Sequence, residues 1–151
     1  HMQGEPQTMQ RNPTYGDVAL DVYEELAARV DACHAAGIPR ERIVVDPGVG
    51  FGKTVQHNLD LMNRLALFQG LGCPVLLGVS RKSTIGKLAG GAAAKERMPG
   101  SLAAAIAGAQ RGVQIVRVHD VAETLQALAV WQAIELAAAP APSSGPGSPD
   151  A

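Results

Sequence analysis

Three short runs rich in β-branched residues, IVVD at 43–46, PVLLGVS at 74–80 and IVRVHD at 115–120, are separated by stretches whose apolar residues repeat at helical spacing. Runs this short and this apolar read as buried strands. Asp17 is placed to cap a helix carrying Val18, Val22, Leu26 and Val30, which Gly37 and Pro39 end. A second helical pattern passes through Leu61, Leu65 and Phe68 to Gly70 and Gly72. A third spans about 99–111 and closes at Gly112, and an Ala/Leu-rich fourth spans about 122–139. The Gly/Ala-rich stretch 86–94 reads as a loop. Strands alternating with helices over such connections require right-handed crossovers, and so a parallel sheet with helices outside it: an α/β fold.

The 151 residues, with a net charge of −1 and 46% hydrophobic content, suffice for one domain with its own core and lack the basic bias of a nucleic-acid binder. No nucleic-acid partner is expected. Neither a long apolar run nor a basic-then-apolar start is present, so no membrane partner is expected and the cytoplasm is the expected compartment. Cys33 and Cys73 lack CxxC spacing and read as reduced thiols. The stretch 140–151, PAPSSGPGSPDA, reads as a disordered tail behind a domain at 1–139.

Each strand run finishes in reactive residue types: Asp46 after the first, Ser80, Arg81, Lys82 and Ser83 after the second, and Arg117 and His119 within the third. The carboxyl ends of parallel strands open toward ligands, so these residues are expected around one mouth. Strand alternation puts Arg117 and His119 on one face, and Gly78, Ser80 and Lys82 on one face if the strand persists to its end. Gly78 would leave room there for a ligand. Arg117 must pair with a carboxylate or an anionic ligand; Asp120 is the structural candidate, although alternation points it to the other face. Asp46 could instead merely set a turn before Pro47, and Arg81 could be a solvated loop cation. His34 and His57 read as surface or satisfied residues, and Phe68 and Trp131 as packing.

The stretch VVDPGVGFGKT at 44–54 looks like a phosphate loop, but Pro47 stands where the first Walker glycine should be, and Gly48, Gly50 and Gly52 give GxGxG rather than GxGxxG. What is left is a flexible loop behind Asp46, with Phe51 for apolar or stacking contact and Lys53 for charge.

HMQGEPQTMQ, VVDPGVGFGKT, LLGVSRKS and IVRVHDV, in this order over about residues 1–138, together resemble the dihydropteroate synthase family. The resemblance implies the C-terminal half of a (β/α)8 TIM barrel, from the end of the fifth strand through the eighth helix. It implies a transferase of folate biosynthesis that joins 6-hydroxymethyl-7,8-dihydropterin pyrophosphate to p-aminobenzoate, giving 7,8-dihydropteroate and pyrophosphate. By the same resemblance Asp46 and Lys82 contact the pterin, with Gly78 beside its ring. Arg117 and His119 bind the departing pyrophosphate, and Phe51 and Ser83 contact p-aminobenzoate, which sulfonamides mimic. Lys82, Arg117 and His119 are thereby the catalytic candidates. Lys53 and Arg81 receive no contact. The cofactor implied is Mg²⁺, whose asparagine ligand belongs to a strand loop absent from these residues. A related methyltransferase using methyltetrahydrofolate, and a non-catalytic fragment or subunit, are the alternatives; SRKS followed by RVHD favours the synthase. A half barrel exposes a sheet edge and an inner face, so a homodimer or a complementary N-terminal half is expected as partner.

Overall fold

Asp17 opens the first helix as its sequence context requires. The side chain accepts from the backbone N–H groups of Ala19 and Leu20 at 3.0 and 3.1 Å, and Arg64 holds both carboxylate oxygens at 2.7 Å. In this computed structural model, which describes residues 1–3, 9 and 13–138, that helix is α1, Val18–Ala35. It buries Val18, Val22, Leu26 and Val30 along one stripe. The tail expected over 140–151 lies outside the described residues.

The second helical pattern divides. Helix α2, Val55–Asn63, starts at a capping box between Thr54 and His57, and a 3-10 segment, Leu65–Leu71, follows it and stops at left-handed Gly72. The stretch expected to be a loop from Gly86 onward is in part helical: α3 is Ser83–Leu88, and a 3-10 turn covers Ala94–Glu96. Gly86 sits inside α3 because the Arg97 guanidinium fills the space a side chain would need, with Nε 2.5 Å from an ideal Cβ position. Helices α4, Met98–Gln110, and α5, Val121–Ala138, fall where their spacing predicts.

The extended runs pair in parallel and in chain order. Strand β1, Leu76–Leu77, lies beside β2, Ile115–Val116, with Leu76 opposite Ile115 and Leu77 opposite Val116. The first run contributes a single bridge, Val45 opposite Val75, rather than a strand over 43–46. Val45 donates to Pro74 O at 2.9 Å and accepts from Leu76 N–H at 2.8 Å; pairing then ends where Pro47 has no N–H to give. Each run therefore neighbours the next one along the chain, with a helix between, which is the winding of a barrel segment.

The core joins Val45, Val75, Leu77 and Val79 to Val22, Leu26, Leu61, Leu65 and Phe68. Helix α4 comes close on the same face because Gly108 faces Leu77, whose Cδ2 is 2.6 Å from where a Cβ would stand. Helix α5 packs chiefly against α4.

Candidate functional site

The segment expected to be a flexible loop, 47–53, is tied at almost every peptide. The Gly48 N–H donates to Asp46 Oδ1 at 2.8 Å, the Gly50 N–H to Asn58 Oδ1 at 2.7 Å, and Phe51 N–H to Gly48 O at 3.1 Å. The Tyr15 hydroxyl donates to Gly52 O at 3.0 Å. Lys53, expected to offer its charge and assigned no contact, is 4% exposed, and its Nζ donates to Gly48 O and Phe51 O at 3.1 and 3.0 Å and meets His1 Nδ1 at 3.0 Å. Burial pushes its pKa down to about 8, against the opposing pull of Asp46. Lys53 thus serves as an internal cross-link of the loop.

Asp46 does set the turn, through Oδ1, yet Oδ2 has no hydrogen-bond partner among the described residues. Asp46 thus shapes the loop through one oxygen and also lines an open cleft of about 440 Å³ together with His1, Met2, Arg29, Gly48 and Phe51.

Lys82 stands between that cleft and a second. The chain does not stay extended through Ser80: Lys82 N–H closes a turn onto Val79 O at 3.1 Å, and Arg81 takes the left-handed region at φ 56°. Strand alternation therefore does not carry Lys82 to the face of Gly78; the turn delivers it instead. Its ammonium donates to Val49 O and lies 4.1 Å above the centre of the Phe51 ring. Burial lowers its pKa to about 8, with Asp46 raising it and Arg117 lowering it further. A carboxylate and a guanidinium thus act on one lysine in opposite senses.

The second cleft, about 610 Å³, is lined by Gly78, Ser80, Arg81, Lys82, Arg117 and His119 among others. The space beside Gly78 is not vacant, because the Arg117 guanidinium occupies it, 3.0 Å from an ideal Cβ position. Arg117 itself is exposed just past β2, so the expected burial cost does not arise, and it has no ion-pair partner among the described residues. Asp120 pairs with Arg81 instead, accepting from Nε at 3.0 Å and from the terminal guanidinium nitrogen as well. That bond holds the Asp120 carboxyl below the usual carboxylate range and makes Arg81 a structural cation. Buried Ser80 accepts from the backbone N–H of His119 at 3.2 Å and lies 3.0 Å from its Nδ1, which anchors the imidazole at the cleft rim.

Of the residues singled out in the sequence, Asp46, Phe51 and Lys82 gather on one side, and Gly78, Lys82, Arg117 and His119 on the other. Ser83 is the exception: it opens α3, is exposed, and lines neither cleft. Asn58 and Thr84 were not singled out for the site, although both are buried polar groups beside it. Asn58 carries a readable signal, since it falls in phase with buried Leu61 and Leu65 on a face that should be apolar. Among the described residues no three of His, Cys, Asp or Glu converge to hold a metal ion, so the implied Mg²⁺ has no such donor set here.

The sequence profile of the pterin binding enzyme family matches residues 1–119. The dihydropteroate synthase of Neisseria meningitidis serogroup B is 57% identical over 137 residues, covering 89% of this chain and 48% of the relative. The crystal structure of the Stenotrophomonas maltophilia dihydropteroate synthase with active site-bound imidazole superposes with a TM-score of 0.88 at 47% identity, covering 93% of this chain and 52% of that one. The Xanthomonas albilineans dihydropteroate synthase in complex with 7,8-dihydropteroate superposes with a TM-score of 0.81 at 46% identity, covering 85% and 49%. The chain therefore spans about half the length of the curated relatives it matches. Its parallel α/β winding is that of a partial TIM barrel.

Proposed function

The chain belongs to the pterin binding enzyme family, and from that premise we propose that it supplies the C-terminal half of a dihydropteroate synthase site, in a domain at 1–139. In this reading the methylene carbon of 6-hydroxymethyl-7,8-dihydropterin pyrophosphate loses its bond to pyrophosphate oxygen. That carbon gains a bond to the p-aminobenzoate nitrogen, whose proton is released. Asp46 accepts from the guanidine-like edge of the pterin and Lys82 donates to its carbonyl side. Arg117 and His119 receive the departing pyrophosphate; a fixed donor at a developing anion lowers a barrier by roughly 3 to 4 kcal/mol. Phe51 borders the p-aminobenzoate position, where a sulfonamide would compete, and Ser83 at the start of α3 is its second contact.

The observation that carries this reading is the position of Lys82, which lines one cleft with Arg117 and His119 while its ammonium lies above Phe51, a wall of the other cleft with Asp46. That is the order in which a pterin edge, a pterin carbonyl and a leaving anion would be met. Magnesium, implied by the family resemblance, would be held by an asparagine outside this chain. A second copy or a complementary N-terminal half would close the site; the exposed apolar residues Leu125 and Ile134 of α5 support association. The cytoplasm is the proposed compartment, in keeping with the free thiols Cys33 and Cys73. No helix among the described residues is long and apolar enough to cross a membrane.

The test is dihydropteroate formation by the purified chain given both substrates and Mg²⁺, alongside calorimetry with the pterin. Asp46→Asn is expected to abolish pterin binding and leave the fold nearly intact, and unchanged affinity would remove Asp46 from the site. Arg117→Ala is expected to weaken the pyrophosphate-bearing substrate more than the free pterin, and equal loss with both would refute that division. A folded chain that binds the pterin but makes no product would be a binding subunit.

A further inference from the structure

The peptide group joining Val49 to Gly50 is gripped from both sides. Its N–H donates to Asn58 Oδ1 at 2.7 Å, and its carbonyl accepts from Lys82 Nζ. Asn58, 2% exposed, is oriented in turn from behind: its Nδ2 donates to Thr84 Oγ1 at 3.0 Å. Because a backbone N–H can only donate, the Asn58 oxygen must face Gly50 and its nitrogen must face Thr84. Thr84 is 4% exposed and sits in the first turn of α3, whose N-cap is Lys82 itself. The chain of contacts thus returns to the lysine from which it began.

This arrangement selects one orientation of a peptide that sterics alone would leave free. Gly50 has φ 84°, where glycine meets no Cβ penalty, so rotation of the 49–50 peptide is opposed chiefly by its polar partners. Turned over, the peptide would aim an N–H at the Lys82 ammonium and a carbonyl at the Asn58 oxygen, and both contacts repel. Asn58 therefore decides on which side the Val49 carbonyl lies, and the carbonyl decides where Lys82 rests. We propose that Asn58, set by Thr84, is a positioning residue for Lys82, holding its ammonium over Phe51 at the partition between the two clefts. The functional consequence rests on the reading of Lys82 as a pterin-contacting cation; the positional claim does not.

The experiment is ligand-free ¹H–¹³C NMR of the full chain, following the Lys82 εCH₂ resonance assigned by its disappearance in Lys82→Arg. Protons above an aromatic ring resonate upfield, so the wild-type signal is expected upfield of ordinary lysine. Asn58→Leu, close in shape but without the amide, is expected to lose most of that displacement while the Leu77 methyl signals keep their places. Thr84→Val should lose it as well and Thr84→Ser should keep it. A folded Asn58→Leu with the Lys82 signal unmoved would overturn the proposal. If Asn58→Leu does not fold, the threonine pair decides, and identical spectra for Thr84→Val and Thr84→Ser would overturn it. In titrations with 6-hydroxymethyl-7,8-dihydropterin, Asn58→Leu is expected to bind about tenfold more weakly, the scale of one lost hydrogen bond. Wild-type affinity in Lys82→Ala would defeat the pterin reading of Lys82 and leave the resonance result to judge Asn58 alone.

Discussion

Helices α1 and α5 have the same length, 18 residues, and opposite surroundings. In α1 the apolar residues form one stripe and Val22 is wholly buried, whereas in α5 Leu125, Ile134 and Leu136 are 63, 63 and 68% exposed. Apolar residues in α5 stand on all sides, the pattern of a helix meant to be enclosed. An amphipathic helix closes the core of this half by itself, while a helix apolar all round points to a surface that something else covers. The two helices thus differ in kind: one buries its apolar stripe within the chain and the other leaves apolar residues exposed.

The largest effect should come from the core that α1 covers. Phe68→Ala removes a fully buried ring and is expected to cost about 3 to 5 kcal/mol in urea unfolding. A cost near zero would mean that the core is centred elsewhere. Next comes pH. Lys53 has its pKa lowered by burial from 10.5 to about 8, so between those values the unfolded chain holds more protons than the folded one and stability rises with pH. That rise is expected to shrink in Lys53→Met, and a rise of undiminished size would return Lys53 to solvent. Thr54→Ala breaks the capping box of α2 and is expected to cost about 1 kcal/mol, with Thr54→Ser restoring most of it. The smallest change belongs to α5: Ile134→Ala in a dilute, monomeric sample is expected to stay within about 0.5 kcal/mol. If it instead costs as much as Phe68→Ala, and the cost depends on protein concentration, α5 is already covered by a second copy and the contrast dissolves.

What could be read in the sequence was local. The Asp17 cap and the α1 stripe depend on neighbours a few residues away, and the structure keeps them; of the strand runs it keeps one bridge at Val45 and the short strands Leu76–Leu77 and Ile115–Val116. It also keeps the gathering of Asp46, Lys82, Arg117 and His119 at strand ends, because parallel winding sends every carboxyl end the same way. The pairing of Arg81 with Asp120, 39 residues apart, was not legible, since alternation within a strand says nothing about a side chain reaching in from a neighbouring turn. Lys53 misled for a related reason: a lysine after three glycines reads as exposed until the loop folds its own carbonyls around it. Helix α3 was missed because it begins at Lys82 without a side-chain cap and contains Gly86, whose tolerance depends on Arg97 arriving from the next segment.

The order of pairing, Val45 with Val75 and then Leu76 and Leu77 with Ile115 and Val116, has a consequence during synthesis. Each of the two later runs pairs with the run made before it, so assembly can proceed one unit at a time. Loop-closure entropy is met in modest instalments rather than in one distant encounter. Helix α5 then docks on α4, its predecessor along the chain, so this contact too joins consecutive elements.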